Sequence, residues 1–392
     1  MLFLETWFWL FAAVAVPVYL LCPRPLKLYW LLFASAVFHY HFAGPAGMTP
    51  IIILAMLTYV AALVPWRLGR WSFAALVMTL LVATLTFYKY GRFLLDNALT
   101  LAGAAGVGVP AALVYRKWPA APLGISFFTF EFVHYLYEVR VHGREPIRNP
   151  FHFGVFSIFF PTLAAGPIKR YPDFVPQLEA LRNPDAARCW SGVRRIIRGL
   201  FKKVCVAELC VEYIQVFEKI PHRTAPVVMG LAILQGWRIY FDFDGYSDMA
   251  IGLARTLNLT VPENFNRPYW STTLQEFWRR WHMSLSAWIR DYIYIPLGGN
   301  RVRRGFNLLA AMVLCGLWHG AAWNFAAWGL YHGSGLALET GARRWMPQLF
   351  ADRWPQRLAG WVVCYTFVTY GWLLFFYSLT SVAQMTRALF VW

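Results

Sequence analysis

Charge is scarce in this chain. Only 14% of its 392 residues are Asp, Glu, Lys or Arg, where a soluble globular domain carries about a quarter. That scarcity, with 59% hydrophobic residues and a mean hydropathy of +0.45, excludes an ordinary soluble domain and indicates an integral membrane protein. Acidic residues are scarcer still, 19 against 36 basic ones, for a formal charge of +17. The basic residues cluster between apolar runs, as in cytoplasmic loops held at an anionic leaflet, and this excludes a nucleic-acid binder.

Reactive motifs are missing too. The six cysteines, Cys22, Cys189, Cys205, Cys210, Cys315 and Cys364, form no C-x-x-C pair and read as small apolar residues, not a disulfide frame or metal cage. The chain has no G-x-S-x-G elbow, no H-E-x-x-H and no H-x-x-x-x-D box, so serine-elbow hydrolysis, zincin chemistry and that acyltransferase class are set aside. LAGAAGVGVPAALV, Leu101 to Val114, is rich in glycine but lacks the strand and helix of a phosphate loop and suits close helix packing instead.

What is present is a series of apolar runs long enough for spans, which need about 20 residues. They are Thr6–Leu21, Leu28–Phe42, Thr49–Trp66, Ser72–Tyr88, Ala98–Tyr115, Leu123–Val139, Phe151–Ala165, Val204–Ile220, Val227–Leu257, Asn307–Leu338 (one span or two) and Leu358–Leu379. The N-terminal run lacks a basic leader and carries Glu5, as expected of a first membrane helix and not a cleaved signal. Arg140–Arg148, Lys169–Lys203 and Arg279–Arg304 are strongly basic and expected on the cytoplasmic side. Phe151–Ala165 lies between two of these loops and contains Gly154 and Pro161, so it is expected to be a re-entrant hairpin. The fold class is therefore all-α integral membrane: roughly eleven transmembrane helices plus re-entrant and interfacial helices around a central funnel or tunnel, one multi-pass domain over residues 1–392.

One charged stretch stands out, EFWRRWHMSLSAWIRDYIYIPLGGNR, Glu276 to Arg301. Projected at about 100 degrees per residue, Leu274, Phe277, Trp278, Trp281, Leu285, Trp288, Ile289 and Tyr292 share one face. Glu276, Arg279, Arg280, Ser286, Arg290 and Asp291 take the other. The periodicity predicts one interfacial amphipathic helix over Leu274–Tyr292, with aromatics at headgroup level. His282 sits at the edge of the apolar face, either as a boundary histidine bonded to a carbonyl or as a group facing into the bundle. Pro296, Gly298 and Gly299 then break the chain.

His319 lies in NLLAAMVLCGLWHGAAWNFAAWGLYHG, Asn307 to Gly333, which holds no carboxylate, lysine or arginine. An ionisable residue in a span marks a site by default, although a neutral imidazole can also be structural. Trp318, Trp323 and Asn324 accompany it. In YFDFDGYSDMAIGLA, Asp242, Asp244 and Asp248 occur in an apolar run whose spacing matches no metal loop. They are expected to pair with arginines from neighbouring segments, over a metal site or proton relay. Imidazoles suit general-base work on a hydroxyl, and a basic cytoplasmic mouth suits an anionic donor such as a coenzyme A thioester or a phosphopantetheine carrier.

FWRRWHMSLSAWIRDYIYIPLGGNR, followed by the histidine of LWHGAAWNF 37 positions after His282, resembles the membrane-bound O-acyltransferase family. PLGISFFTF, GPIKRYPDF, FDFDGYSDMAIGLA and PENFNRPYW are similar to its bacterial polysaccharide-modifying branch, of the alginate O-acetylation type. The resemblance runs from about Leu123 to the C-terminal region, with core motifs over 123–340 and a weaker echo at TFYKYGRFLLDN. It implies a helical funnel with His319 catalytic near its neck and His282 in a supporting position. It also implies a thioester donor, acetyl-CoA or an acyl-phosphopantetheine carrier, with no bound cofactor and no metal. It further implies the bacterial inner membrane, with the acyl group leaving toward a periplasmic polysaccharide or an SGNH-type acetyltransferase partner. Trp318, Asn324, Trp281, Arg290, Asp291 and Asp248 are expected to line the substrate path, and so are Glu131 and His134 of FEFVHYLYEV. The chain closes soon after WLLFFYSLTSVAQMTRALF, a length nearer the teichoic acid D-alanylation branch, while IPLGGNR and GYSDMAIGLA fit the acetylation branch better. A proton-coupled transporter is the reading from a different class, and the chain shows no inverted repeat to favour it.

Overall fold

The computed structural model describes residues 2–64, 70–108, 110–163 and 165–390, and among these every regular element is helical. Among them, three helices are long and apolar enough to cross a bilayer: Arg24–Leu63, Phe73–Ala104 and Trp354–Phe376, with Thr6–Leu21 a shorter apolar helix. Leu10, Val14, Phe33, Ile52, Met56 and Val363 stand exposed on them, apolar surface suited to lipid. The membrane reading thus rests on these helices; the remaining expected spans are shorter or carry more charge.

The chain divides into two compact units, Met1–Arg194 with Ala250–Val261, and Arg195–Met249 with Pro262–Trp392. The first contains α1 (Thr6–Leu21), α2 (Arg24–Leu63), α3 (Arg70–Leu85), α4 (Gly91–Ala104), α5 (Ala111–Val114), α6 (Ile125–Arg140), α7 (Pro150–Ile158), α8 (Tyr171–Glu179) and most of α9 (Ala186–Leu200). The expected spans Leu28–Phe42 and Thr49–Trp66 correspond to the two arms of α2. They are divided at Gly44, where φ is +64°, because Pro45 bars its predecessor from helical backbone and glycine tolerates the alternative. Pro65, Trp66, Val109 and Ala164, the residues of the expected elements that fall in the gaps, lie outside the described residues.

One expectation changes here. Ala98–Tyr115 is not a span: α3 and α4 run on through a wide turn at Thr86–Tyr90, and the helix stops at Ala104 before Gly106, where φ is +74°. The small residues that suggested tight helix packing end a helix instead. Phe151–Ala165 contributes only nine helical residues, Pro150–Ile158, about 14 Å at 1.5 Å per residue. That is too short to cross, and this segment is the one for which no crossing is expected.

The second unit contains α10 (Glu208–Glu218), most of α11 (Ala225–Thr256), α12 (Leu274–Arg280), α13 (Met283–Ile289), α14 (Arg304–His319), α15 (Trp323–Trp345), α16 (Trp354–Phe376) and α17 (Leu379–Ala388). Ile214, Val228, Leu231, Leu373, Val382 and Met385 form a core shared by α10, α11, α16 and α17. The expected Asn307–Leu338 run proves to be two helices, α14 and α15. They approach closely because a Cβ on Gly316 would lie 2.2 Å from the Phe325 carbonyl oxygen, and one on Gly329 2.4 Å from that of Met312. Among the cysteines, Cys210, Cys315 and Cys364 are buried as expected, whereas Cys205 is exposed.

Candidate active site

His319 is the last residue of α14. The chain reverses at Gly320, where a Cβ would lie 2.0 Å from the Phe325 ring, so only glycine lets α15 start this close. The half-buried His319 ring stands 4.7 Å from Trp318, 5.3 Å from Trp328 and 5.0 Å from Phe375. Asn324, in the first turn of α15, donates to the carbonyls of Leu374 and Phe375 at 3.2 and 3.3 Å. That anchors the end of α16 beside the histidine.

The predicted single helix over Leu274–Tyr292 is broken. It begins as expected: Thr273 caps α12 by accepting from the Glu276 N–H at 3.2 Å, while the Glu276 carboxylate accepts from the Thr272 N–H at 2.8 Å, a reciprocal box. α12 ends at Arg280, and His282 takes φ 41°, ψ 56° before α13 starts. Left-handed backbone is unfavourable for a side chain of this size, and bonds from a distant loop hold it. The Asn264 carbonyl accepts from the Met283 N–H at 2.8 Å, and the Arg280 carbonyl accepts from the Asn266 N–H at 3.0 Å. The hydrophobic periodicity persists across the break, so Leu274, Phe277, Trp281, Leu285 and Trp288 are all buried. Their partners are protein rather than headgroups, which corrects the interfacial reading: Trp281 lies 4.8 Å from Trp372 and 5.4 Å from Phe277.

The break turns His282 inward. Its ring is 2% exposed, 4.6 Å from Phe243 and 6.3 Å from Trp318, so both histidines flank one indole. His282 Nδ1 faces the Asn264 carboxamide oxygen at 3.3 Å, and Nε2 is buried without a hydrogen-bond partner. Charging an imidazole so enclosed is costly, which favours the neutral ring.

Sequence reasoning missed His332. It is fully buried on α15, 4.9 Å from Trp328 and 5.2 Å from Trp278, and neither ring nitrogen has a partner. Its place in the same uncharged run as His319 was the available signal. Asn264 was missed as well, visible only as part of PENFNRPYW.

The other expected site residues have partners of their own. Asp248 accepts from Arg195 Nε at 2.8 Å, Arg198 Nε at 2.9 Å and Lys202 Nζ at 2.7 Å. Asp244 pairs with Lys202 at 2.5 Å, and Asp242 pairs with Lys203. These carboxylates are paired with cations, lysines as well as the expected arginines, and among the described residues no group of three or more His, Cys, Asp or Glu gathers around a metal-sized space. Arg290 donates to its neighbour Asp291 at 2.7 Å and is largely exposed. Glu131 and His134 belong to the first unit. Glu131 pairs with buried Lys169 at 2.5 Å, which also donates to Thr162 at 3.0 Å, and His134 Nε2 accepts from the Tyr171 N–H at 2.8 Å. Both have internal structural partners.

Two histidines thus flank one indole within a wall of tryptophan and phenylalanine, and imidazole is a group able to take up and release a proton near neutral pH. Comparison with known proteins bears on its chemistry. The family model described as MBOAT, membrane-bound O-acyltransferase family, matches residues 112–380. The probable alginate O-acetylase of Azotobacter vinelandii is 38% identical over 312 residues, 78% of this chain and 60% of that protein. Its counterpart in Pseudomonas aeruginosa is 35% identical over 393 residues, 97% of this chain and 73% of that protein. The teichoic acid D-alanyltransferase of Bacillus subtilis is 32% identical over 274 residues, 64% of this chain and 68% of that protein. The chain therefore spans only part of the length of each of these relatives. As its motifs imply, the chain belongs to the membrane-bound O-acyltransferase family.

Proposed function

We propose that this protein is a membrane O-acyltransferase that takes an acyl group, acetyl in the first instance, from a cytoplasmic thioester and passes it across the membrane for O-acetylation of an exported polysaccharide. The observation that carries the mechanism is the pair His319 and His282 around Trp318, one ring half-buried and one enclosed. In this reading an acceptor hydroxyl attacks the thioester carbon. The new C–O bond forms as the C–S bond breaks, His319 takes the hydroxyl proton, and the proton returns to the leaving sulfur to give the free thiol. His282 orients the donor or stabilises developing charge.

The wider frame is part of the same proposal: about eleven spans around a funnel in a bacterial inner membrane, acting as one catalytic module. The donor is acetyl-CoA or an acyl-phosphopantetheine carrier, and the acceptor is a periplasmic polysaccharide or an SGNH-type acetyltransferase. Support comes from the relatives named alginate O-acetylases. The relative named teichoic acid D-alanyltransferase favours a second reading, D-alanyl transfer from a carrier protein.

The test is transfer of radiolabelled acetyl from acetyl-CoA by purified protein in nanodiscs, comparing wild type with His319→Ala and His282→Ala. Turnover that vanishes in His319→Ala supports the assignment; turnover unchanged in that variant removes it. Label transferred only from a charged carrier protein moves the reading to D-alanylation.

A further inference from the structure

The Asn264 carboxamide occupies an unusual position for a loop residue. It is 1% exposed, and its oxygen accepts from Ser284 Oγ at 2.6 Å and from the Ser284 N–H at 3.4 Å. Its Nδ2 donates to Ser247 Oγ at 3.1 Å. A backbone N–H only donates, so the atom facing Ser284 is the oxygen, and the amide orientation is fixed. The same oxygen lies 3.3 Å from His282 Nδ1. An acceptor there requires a proton on Nδ1, and a neutral ring with that proton carries a bare lone pair on Nε2. Nε2 is the atom left buried without a partner.

The flanks of this amide are pinned. One guanidinium, Arg195, binds Glu263, next in sequence to Asn264, and also Asp248, next to Ser247, at 2.5 and 2.8 Å. The ion-pair network expected around these carboxylates thus fixes the loop and helix between which the amide bridges.

We propose that Asn264 is a positioning residue: it holds His282 in the Nδ1-protonated neutral tautomer and presents the Nε2 lone pair to an O–H or N–H donor on the bound substrate. The use made of that lone pair rests on the acyl-transfer reading above; the tautomer itself does not. Orientation of a ring by a hydrogen bond to its far nitrogen is a device best measured at metal-bound histidines, where losing such a partner costs about 10–100-fold in affinity or activity.

The experiment uses the full chain in nanodiscs, labelled with 15N-histidine, with His282 assigned by difference against His282→Gln. Wild type is expected to show a protonated Nδ1 and a bare Nε2. Asn264→Asp, which keeps an oxygen acceptor, retains that pattern and most of the turnover with acetyl-CoA. Asn264→Leu loses it, with turnover down about 10–100-fold. Ser284→Ala removes the hydroxyl bond to the same oxygen and leaves the tautomer unchanged, separating the contact to His282 from the side-chain contact to Ser284. A wild-type His282 protonated on Nε2 overturns the proposal, as does an unchanged tautomer in Asn264→Leu. The wild-type spectrum decides even where a variant does not fold. If the tautomer follows Asn264 while His282→Gln turns over like wild type, Asn264 positions the ring but the catalytic use of its lone pair is overturned.

Discussion

Two buried polar clusters, one in each unit, have opposite characters. Around Lys169 in the first unit, the ammonium meets Glu131 and Thr162, and the nearby His134 accepts from a backbone N–H. In the second unit, His282 Nε2 and both nitrogens of His332 are buried without partners. Burying polar groups without partners opposes folding, so the first arrangement stabilises the fold while the second leaves lone pairs for chemistry. An unpaired imidazole alone is not enough: His39 is equally unpartnered, yet the aromatic ring beside it is Phe128 at 5.4 Å, not a second histidine across a shared indole.

Four changes break or sharpen this contrast. His319→Ala should lower acetyl transfer by about 10²–10⁴-fold, the usual weight of a general base, while size-exclusion profile and membrane yield stay as in wild type. Lys169→Met leaves the Glu131 carboxylate buried and unpaired, a loss of about 3–5 kcal/mol. It should appear as a collapse in thermal stability, which adding Glu131→Gln largely restores. Should Lys169→Met instead leave stability intact and abolish transfer, the roles assigned to the two clusters would be reversed.

Gly320→Ala puts a methyl into the Phe325 ring and shifts His319. A displacement of about 1 Å can cost on the order of 10²-fold, so reduced turnover with acetyl-CoA binding retained by calorimetry is the expected outcome. The smallest effect belongs to Arg290→Ala. Arg290 is largely exposed where it pairs with Asp291, a contact worth under about 1 kcal/mol, so turnover and melting temperature should both stay near wild type. A large loss of turnover would place Arg290 on the substrate path.

Composition alone determined the membrane class, because a chain with so few charges cannot cover itself for water. The local motifs around His282 and His319 determined the family, and His319 stands out as a candidate because a titratable group in an uncharged apolar run needs a reason. The apolar face over Leu274–Trp288 was legible for a similar reason: burial follows periodicity, and periodicity survives a kink. The kink itself was not legible. It is held by Asn264, about 20 positions earlier in the chain, and no local pattern encodes a hydrogen bond made at that range. The failed span at Ala98–Tyr115 has a local origin instead, since hydropathy reads apolar length but not the left-handed backbone at Gly106. Tertiary structure decided which polar groups found partners. That requires segments from different helices to meet, and it separates the paired Glu131, His134 and Asp248 from the open nitrogens of His282 and His332.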